Sequence, residues 1–124
     1  MRRYDPEVAP DPAEWLALGE LERIRLAEAY HNAAGIELPN LKSHAVFHSI
    51  VENQLAEELD PVVRAMARLL EQGLTRHDAL HAIGSVVAEH LFEVLSTADA
   101  ALAKTAQARY EAAVEQLNAA ESLR

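Results

Sequence analysis

Apolar residues recur every three or four positions along most of the chain, the spacing that places them on one face of an α-helix. Most Gly and Pro residues stand between these periodic segments, where they are typical of helix ends. The apolar residues are mainly Ala and Leu, which favour helices over strands. The pattern therefore predicts an all-α fold, a compact antiparallel bundle of about four to six helices with short loops.

Capping residues indicate where the helices begin. Asp11 followed by Pro12 is typical of a helix start, and this short helix is expected to run to Leu18 and to break or bend at Gly19. Later helices are expected to open after further signals, at Asn40, Asp60-Pro61, Thr75 with Asp78, and Ser96 with Asp99. Together with a helix that begins at Glu20, they cover about residues 20–34, 41–58, 60–73, 75–95 and 96–124.

The chain divides into three parts. Residues 1–10 contain Pro and show no periodicity, so we expect them to form a flexible, loosely ordered N-terminal arm. Residues 11–95 form a His-rich helical bundle, and residues 96–124 form an Ala-rich C-terminal helix.

Composition excludes several classes of function. The formal net charge of −9, from 20 acidic and 11 basic side chains, repels phosphate backbones, so nucleic-acid binding is not expected. No run of about 18 apolar residues is present, which argues against a membrane-spanning helix. The residues after Met1 are not apolar, so no signal peptide is expected and the predicted location is cytoplasmic. The absence of Cys excludes disulfides and thiolate metal ligands.

Four of the six histidines form two pairs at i, i+4 spacing, each centred on a buried stripe. His44 and His48 lie one turn apart on the third predicted helix, and Glu52 follows at the margin of the same row. His77 and His81 are paired in the same way on the fifth helix. Gly84 lies one turn further, where the missing side chain leaves space or permits close helix approach.

Two other histidines differ from these pairs. His31 falls on the inner face of the second helix beside Ile24 and Ala27, with Glu28 next to it. His90 points away from the row of His77 and is not expected to belong to the same group.

The doubled pairs predict a metal site. Random placement of six histidines gives roughly 0.3 pairs at this spacing, whereas the sequence has two. Buried imidazoles need partners for their nitrogens, and one ion satisfies several at once. The predicted ligands are four core histidines and two further candidates, namely His44, His48, His77 and His81, with Glu52 and His31. The alternative is a hydrogen-bonded cluster of structural histidines.

The predicted ion is iron or zinc. Imidazoles alone suit zinc, copper or nickel, and the addition of Glu52 and Glu28 gives a nitrogen and oxygen set that also suits iron. Five histidines with carboxylates resemble, in ligand inventory only, the di-iron site of hemerythrin-like bundles, so oxygen or peroxide handling is expected. A hydrolytic version has zinc on three histidines and Glu52 as general base. The sequence shows no HExxH motif and names no substrate, so enzymatic activity stays open.

The stretch from Asn40 to Leu95 resembles a family of small bacterial helical proteins of unknown function. The resemblance includes the Leu-Pro-Asn entry at 38–40, the paired histidines, Glu-Asn-Gln at 52–54 and His-Ala-Ile-Gly at 81–84. It covers about residues 4–95 and leaves residues 97–124 outside. The resemblance implies a bacterial origin and carries no known activity.

A second class of function is a non-catalytic interaction module. In this interpretation the amphipathic helices form a homodimer or other homo-oligomer, and the histidines only pack. The C-terminal helix offers a narrow apolar stripe, interrupted by Arg109, that consists of Leu102, Ala106, Tyr110, Ala113 and Leu117. Such a stripe packs either on its own bundle or on a partner.

Overall fold

The computed structural model describes residues 1–35, 40–96 and 98–122, and all regular secondary structure within these ranges is α-helical. The described ranges contain seven helices: α1 (Pro12–Ala17), α2 (Glu20–Ala33), α3 (Leu41–Ala56), α4 (Asp60–Glu71), α5 (Arg76–Ser96), α6 (Ala100–Glu115) and α7 (Ala119–Ser122). The prediction of a compact all-α bundle is confirmed.

Several helices begin at the expected caps. The side chains of Asp11 and Asn40 accept hydrogen bonds from backbone N–H groups in the first turns of α1 and α3. The Thr75 hydroxyl accepts a bond from the backbone N–H of Asp78 at the start of α5. At α4 the cap position is Leu59, and Asp60 is the first helical residue, where its charge favours the helix dipole.

Two predicted helix ends differ from the structure. The helix α3 ends at Ala56 rather than near residue 58, because Glu58 has a φ of +58°, which a right-handed helix cannot continue. The start expected at Ser96 lies at Asp99, whose side chain caps α6, while Ser96 is the last residue of α5.

The C-terminal segment is two helices rather than one. The helix α6 ends at Glu115, and the guanidinium of Arg68 on α4 donates to the backbone carbonyls of Val114 and Leu117. The side chain of Gln72 accepts from the backbone N–H of Ala119. The end of α6 is thus bound to Arg68 of α4 and to Gln72 just after it, and the chain turns before α7.

The helix α3 is central and packs against α1, α2, α4 and α5. The main apolar core lies among α3, α4, α5 and α6, and Val51, Leu69, Leu80, Ile83 and Val114 are among its buried members. A smaller cluster consists of Tyr4, Trp15, Ala27 and Ala45. Ser49 is buried although it lies on the side of α3 opposite His44 and His48, because α3 is covered on more than one face.

The helices α3 and α5 are antiparallel. Glu52 pairs with Arg76 near one end of the contact. Further along, Phe47 lies beside Gly84, where an added Cβ would lie 3.6 Å from the Phe47 Cβ. The two HxxxH pairs therefore lie side by side. Leu91 of α5 is exposed although it shares the helix face of His77 and His81, and it lines a groove with residues of α3 and α6.

The N-terminal arm has no helix, yet it packs against the bundle. Tyr4 and Pro6 are buried, whereas the sequence predicted a loosely ordered segment. The ring of Tyr4 lies against Trp15, with 5.5 Å between the ring centroids. Burial of aromatic surface of this size favours an ordered arm.

Candidate metal centre

Five histidines from three helices meet at one place in the bundle. His31 comes from α2, His44 and His48 come from α3, and His77 and His81 come from α5. One nitrogen of each imidazole can be chosen so that all five atoms lie within 4.8 Å of one another. All five were candidate ligands in the sequence, and the structure brings them together.

The rings form a closed arrangement. His48 contacts each of the other four imidazoles, with ring centroids 4.8 to 5.0 Å apart. Those four rings contact one another in the order His31, His44, His81, His77 and back to His31, with centroids 4.3 to 5.4 Å apart. His48 thus lies against a ring of four imidazoles, an arrangement that can place five nitrogens around one point.

Hydrogen bonds orient two of the imidazoles. The Nδ1 atom of His31 lies 2.7 Å from the carbonyl oxygen of Ala27. A carbonyl only accepts, so Nδ1 carries the proton and Nε2 keeps its lone pair. The Nε2 atoms of His48 and His81 lie 3.1 Å apart, within direct hydrogen-bond distance.

Three other nitrogens of the cluster have no partner among the described residues. The Nε2 atoms of His31, His44 and His77 are buried and accept or donate no hydrogen bond. An unpaired buried polar atom lowers the free energy of unfolding by on the order of 1–3 kcal/mol, so three such atoms in one small space would strongly destabilise an ordinary core. A metal ion bound to these lone pairs would remove that cost.

The cluster keeps most of its imidazoles uncharged at neutral pH. Burial, and then the charge that neighbouring imidazoles would carry, lowers the pKa of His48 to about 2 and the pKa of His44 and His81 to about 4. The pKa of His77 is lowered by the same causes and raised in part by nearby carboxylates. Neutral imidazole is the form that binds a metal.

Glu52 was a candidate ligand in the sequence, but the group of residues that could hold a metal ion does not include it. Its two oxygens each lie 2.7 Å from a guanidinium nitrogen of Arg76, and the Tyr4 hydroxyl donates to Oε2 at 2.5 Å. The whole residue is 2% exposed. It is therefore paired and surrounded, which also argues against the hydrolytic role of general base. Glu28 does not belong to the group either.

Arg76 forms hydrogen bonds with both the Glu52 carboxylate and the N-terminal arm. Burial alone would lower its pKa, but the bonds with Glu52 raise the pKa above the ordinary value. The same guanidinium donates to the carbonyl of Pro6 at 2.9 Å, and the backbone N–H of His77 donates to the Glu7 side chain at 2.8 Å. The arm is thus fixed beside the cluster.

Tyr4 lies beside the cluster, although the sequence analysis did not single it out. Its hydroxyl oxygen lies 3.2 Å from Nδ1 of His48, while its proton goes to Glu52. Burial first, and then the charge of Glu52, raises the pKa of Tyr4 well above its ordinary range. The arm contains no periodicity, so the only available signal was an aromatic residue in a polar segment.

A pocket of about 290 Å³ adjoins the cluster. Three of its lining residues are histidines of the cluster, and the others are small or apolar: His44, His48 and His81, with Phe47, Leu80, Gly84, Ser85 and Ala88. Gly84 lies in the pocket wall, and a Cβ added there would make an ordinary van der Waals contact with Phe47, so the missing side chain leaves space rather than permitting an unusually close helix approach.

His90 lies outside the cluster, as expected, and its Nδ1 bonds to the carbonyl of Val86.

None of the helices in the described ranges has the length and apolarity that a membrane crossing requires. Comparisons of the sequence with protein-family models, curated proteins and solved structures gave no match.

Proposed function

We propose that this chain is a metal-binding protein in which five histidines hold a single transition-metal ion. The observation that carries the proposal is the convergence of ligand nitrogens from His31, His44, His48, His77 and His81 within 4.8 Å. Three of these residues have a buried Nε2 without a partner in the described part of the chain. A structural histidine cluster would instead pair these atoms with donors or acceptors.

The spacing favours one ion rather than two. Metal–imidazole bonds of about 2.1 Å place opposite nitrogens roughly 4.2 Å apart, close to the largest separation in this cluster. A dinuclear centre needs ligands for two ions about 3.5–4 Å apart, commonly with bridging carboxylates. Glu52 is held by Arg76, and no other carboxylate belongs to the group. We therefore propose a mononuclear centre in place of the di-iron site suggested by the ligand inventory.

Between iron and zinc, we propose iron. Imidazole suits both ions, but structural zinc sites are almost always four-coordinate and tetrahedral. Five nitrogens exceed that number and leave one position of an octahedral ion open. An iron ion with an open position reacts with small oxidants such as oxygen or peroxide, and we propose this class of chemistry for the site.

The test is elemental analysis of tag-free protein purified without chelator or nickel resin. We expect about one equivalent of iron. A His48→Ala variant should lose the ion, whereas His90→Ala, a matched change outside the cluster, should retain it. One equivalent of zinc would overturn the assignment of iron and identify the ion as zinc. Two equivalents of iron would overturn the mononuclear centre. No metal in the purified protein and no uptake of Fe(II) or Zn(II) would overturn the metal site itself.

We also propose self-association through one end of α5. Phe92 and Leu95 are 73% and 77% exposed, and their spacing puts them with Leu91 on one surface. The later part of the C-terminal stripe, from Tyr110 to Leu117, packs instead on the bundle itself, while Leu102 is 40% exposed. Sedimentation of wild type and of Phe92→Ser/Leu95→Ser tests this proposal, and a wild-type protein that is monomeric at all concentrations would contradict it.

A further inference from the structure

The pocket beside the histidine cluster is lined by neutral side chains. Besides its histidines it presents the ring of Phe47, the side chains of Leu80 and Ala88, and the backbone of Gly84. Its remaining polar group is the Ser85 hydroxyl, which donates to the carbonyl of His81. The lining therefore favours an apolar body and offers no charged side chain to recognise a second ionic group.

The pocket reaches the more accessible side of the cluster. His31 and His48 are buried, whereas His44, His77 and His81 are partly exposed. Two of these three partly exposed histidines line the pocket. A molecule that enters the pocket therefore meets the cluster where it is least covered by protein.

The charges at the cluster determine whether an added ligand of the ion should be neutral or anionic. Imidazole ligands are neutral, so an ion bound by five of them keeps its full positive charge. The charge of Glu52 is already balanced by Arg76. The other carboxylates that act on the cluster are those of Asp5, Glu7 and Asp78, which act on His77, and Asp78 acts on His81 as well. None of the three residues lines the pocket. An added anionic ligand is therefore favoured electrostatically.

We propose that the pocket binds a small monoanion with an apolar body, whose anionic atom binds the metal ion. This inference rests on the proposed metal site. An apolar cavity of about 150 Å³ holds benzene, so a pocket of about 290 Å³ accommodates a body of one ring or a short aliphatic chain. Phe47 and Leu80 then contact the body, and Gly84 leaves the room for it.

Protein loaded with one equivalent of Co(II) provides the test, because its visible absorption reports changes in coordination. Two probes are titrated separately. Azide is a small anion without an apolar body, and benzoate is a monoanion with one. We expect both to change the spectrum of the wild-type protein.

A larger side chain in the pocket should affect the binding of benzoate but not the binding of azide. In Gly84→Leu we expect unchanged Co(II) uptake and azide binding, and benzoate binding weakened about tenfold or more because its ring loses buried area. Ala88→Leu narrows the pocket from another position, and it replaces Gly84→Leu as the test variant if Gly84→Leu does not fold. Glu89→Leu places the same side chain at an exposed position of α5 and should bind benzoate as the wild type does.

The outcomes distinguish the pocket from the metal site. Benzoate binding that is lost in both pocket variants but not in Glu89→Leu supports the proposal. Co(II) uptake without any benzoate binding, or benzoate binding that both pocket variants retain, overturns it while the metal site stands. Absence of Co(II) uptake by the wild-type protein overturns the metal site, and the pocket proposal with it.

Discussion

The hydroxyl of Tyr4 joins the imidazole of His48 to the carboxylate of Glu52. It donates its proton to Glu52 at 2.5 Å, and its oxygen lies 3.2 Å from Nδ1 of His48. Since one hydroxyl has one proton, the hydrogen between Tyr4 and His48 belongs to Nδ1. The Nε2 lone pair of His48 then faces the cluster, where it lies 3.1 Å from Nε2 of His81. Partners of this kind orient metal-binding histidines and increase their basicity.

Tyr4→Phe should weaken metal binding while it preserves the packing of the ring. We expect the metal affinity to fall by about tenfold or more, because His48 loses the oxygen that fixes its tautomer. Competition with a chromophoric chelator measures this affinity. Tyr110→Phe removes a hydroxyl that bonds to Gln54 away from the cluster and should leave the affinity unchanged. Equal affinities in the two variants would show that Tyr4 only packs.

Arg76→Met should destabilise the fold strongly. It leaves the Glu52 carboxylate, whose side chain is 1% exposed, without its cation. Breaking a buried ion pair from one side costs about 3–5 kcal/mol of unfolding free energy. Arg64→Met breaks the exposed pair with Glu115 and should cost below about 1 kcal/mol. Urea unfolding of the metal-free proteins measures both values, and similar losses would contradict the role assigned to Arg76.

The metal-free protein should lose stability as the pH falls below 6.5. In the unfolded chain His44 and His81 take up protons near their ordinary pKa of 6.5, whereas in the folded protein the pKa of each is about 4. The unfolded state therefore binds more protons between these values, and the free energy of unfolding rises with pH there. Above pH 6.5 both states are deprotonated, and this contribution is complete and constant.

Urea midpoints measured between pH 5 and 7 provide the measurement. Each such histidine contributes at most about 1.4 kcal/mol per pH unit, and less where the ring is partly exposed. His44→Gln/His81→Gln should show a shallower dependence than the wild type over the same interval. Identical slopes would mean that these histidines are protonated equally in the folded and unfolded chains.

Metal binding should raise the thermal midpoint of the protein. An ion that binds only the folded state adds about 2.7 kcal/mol of stability when its free concentration is 100 times Kd. Excess chelator should reverse the increase. His44→Ala/His48→Ala removes two of the five histidines and should show no response to metal or chelator. A response equal to that of the wild type would place the ion elsewhere.

The imidazole pairs were predictable because their geometry is local. Residues four apart on one helix share a face, so His44 with His48 and His77 with His81 follow from spacing alone. Apolar neighbours in the sequence indicate that the shared face is buried. The all-α class is predictable for the same reason, since each helix carries its own periodicity and end signals.

The surroundings of the pairs depend on contacts between distant residues. Glu52 shares a helix row with His48, but its role is set by Arg76 and Tyr4, which lie 24 and 48 positions away in sequence. Ser49 is buried because α3 has neighbours on several sides, which projection of a single helix does not include. The turn after α6 depends in the same way on Arg68 from α4.

The distribution of the five histidines over three helices affects the order in which the chain can assemble them. Each i, i+4 pair needs only one helical turn, and such turns form in under about a microsecond. Two half-sites are therefore present as soon as α3 and α5 form. His31 joins only through tertiary packing, and Tyr4 only when the arm docks. During synthesis the pair on α3 is therefore complete before the pair on α5 has been made, and the five imidazoles converge only after α5 has joined the bundle.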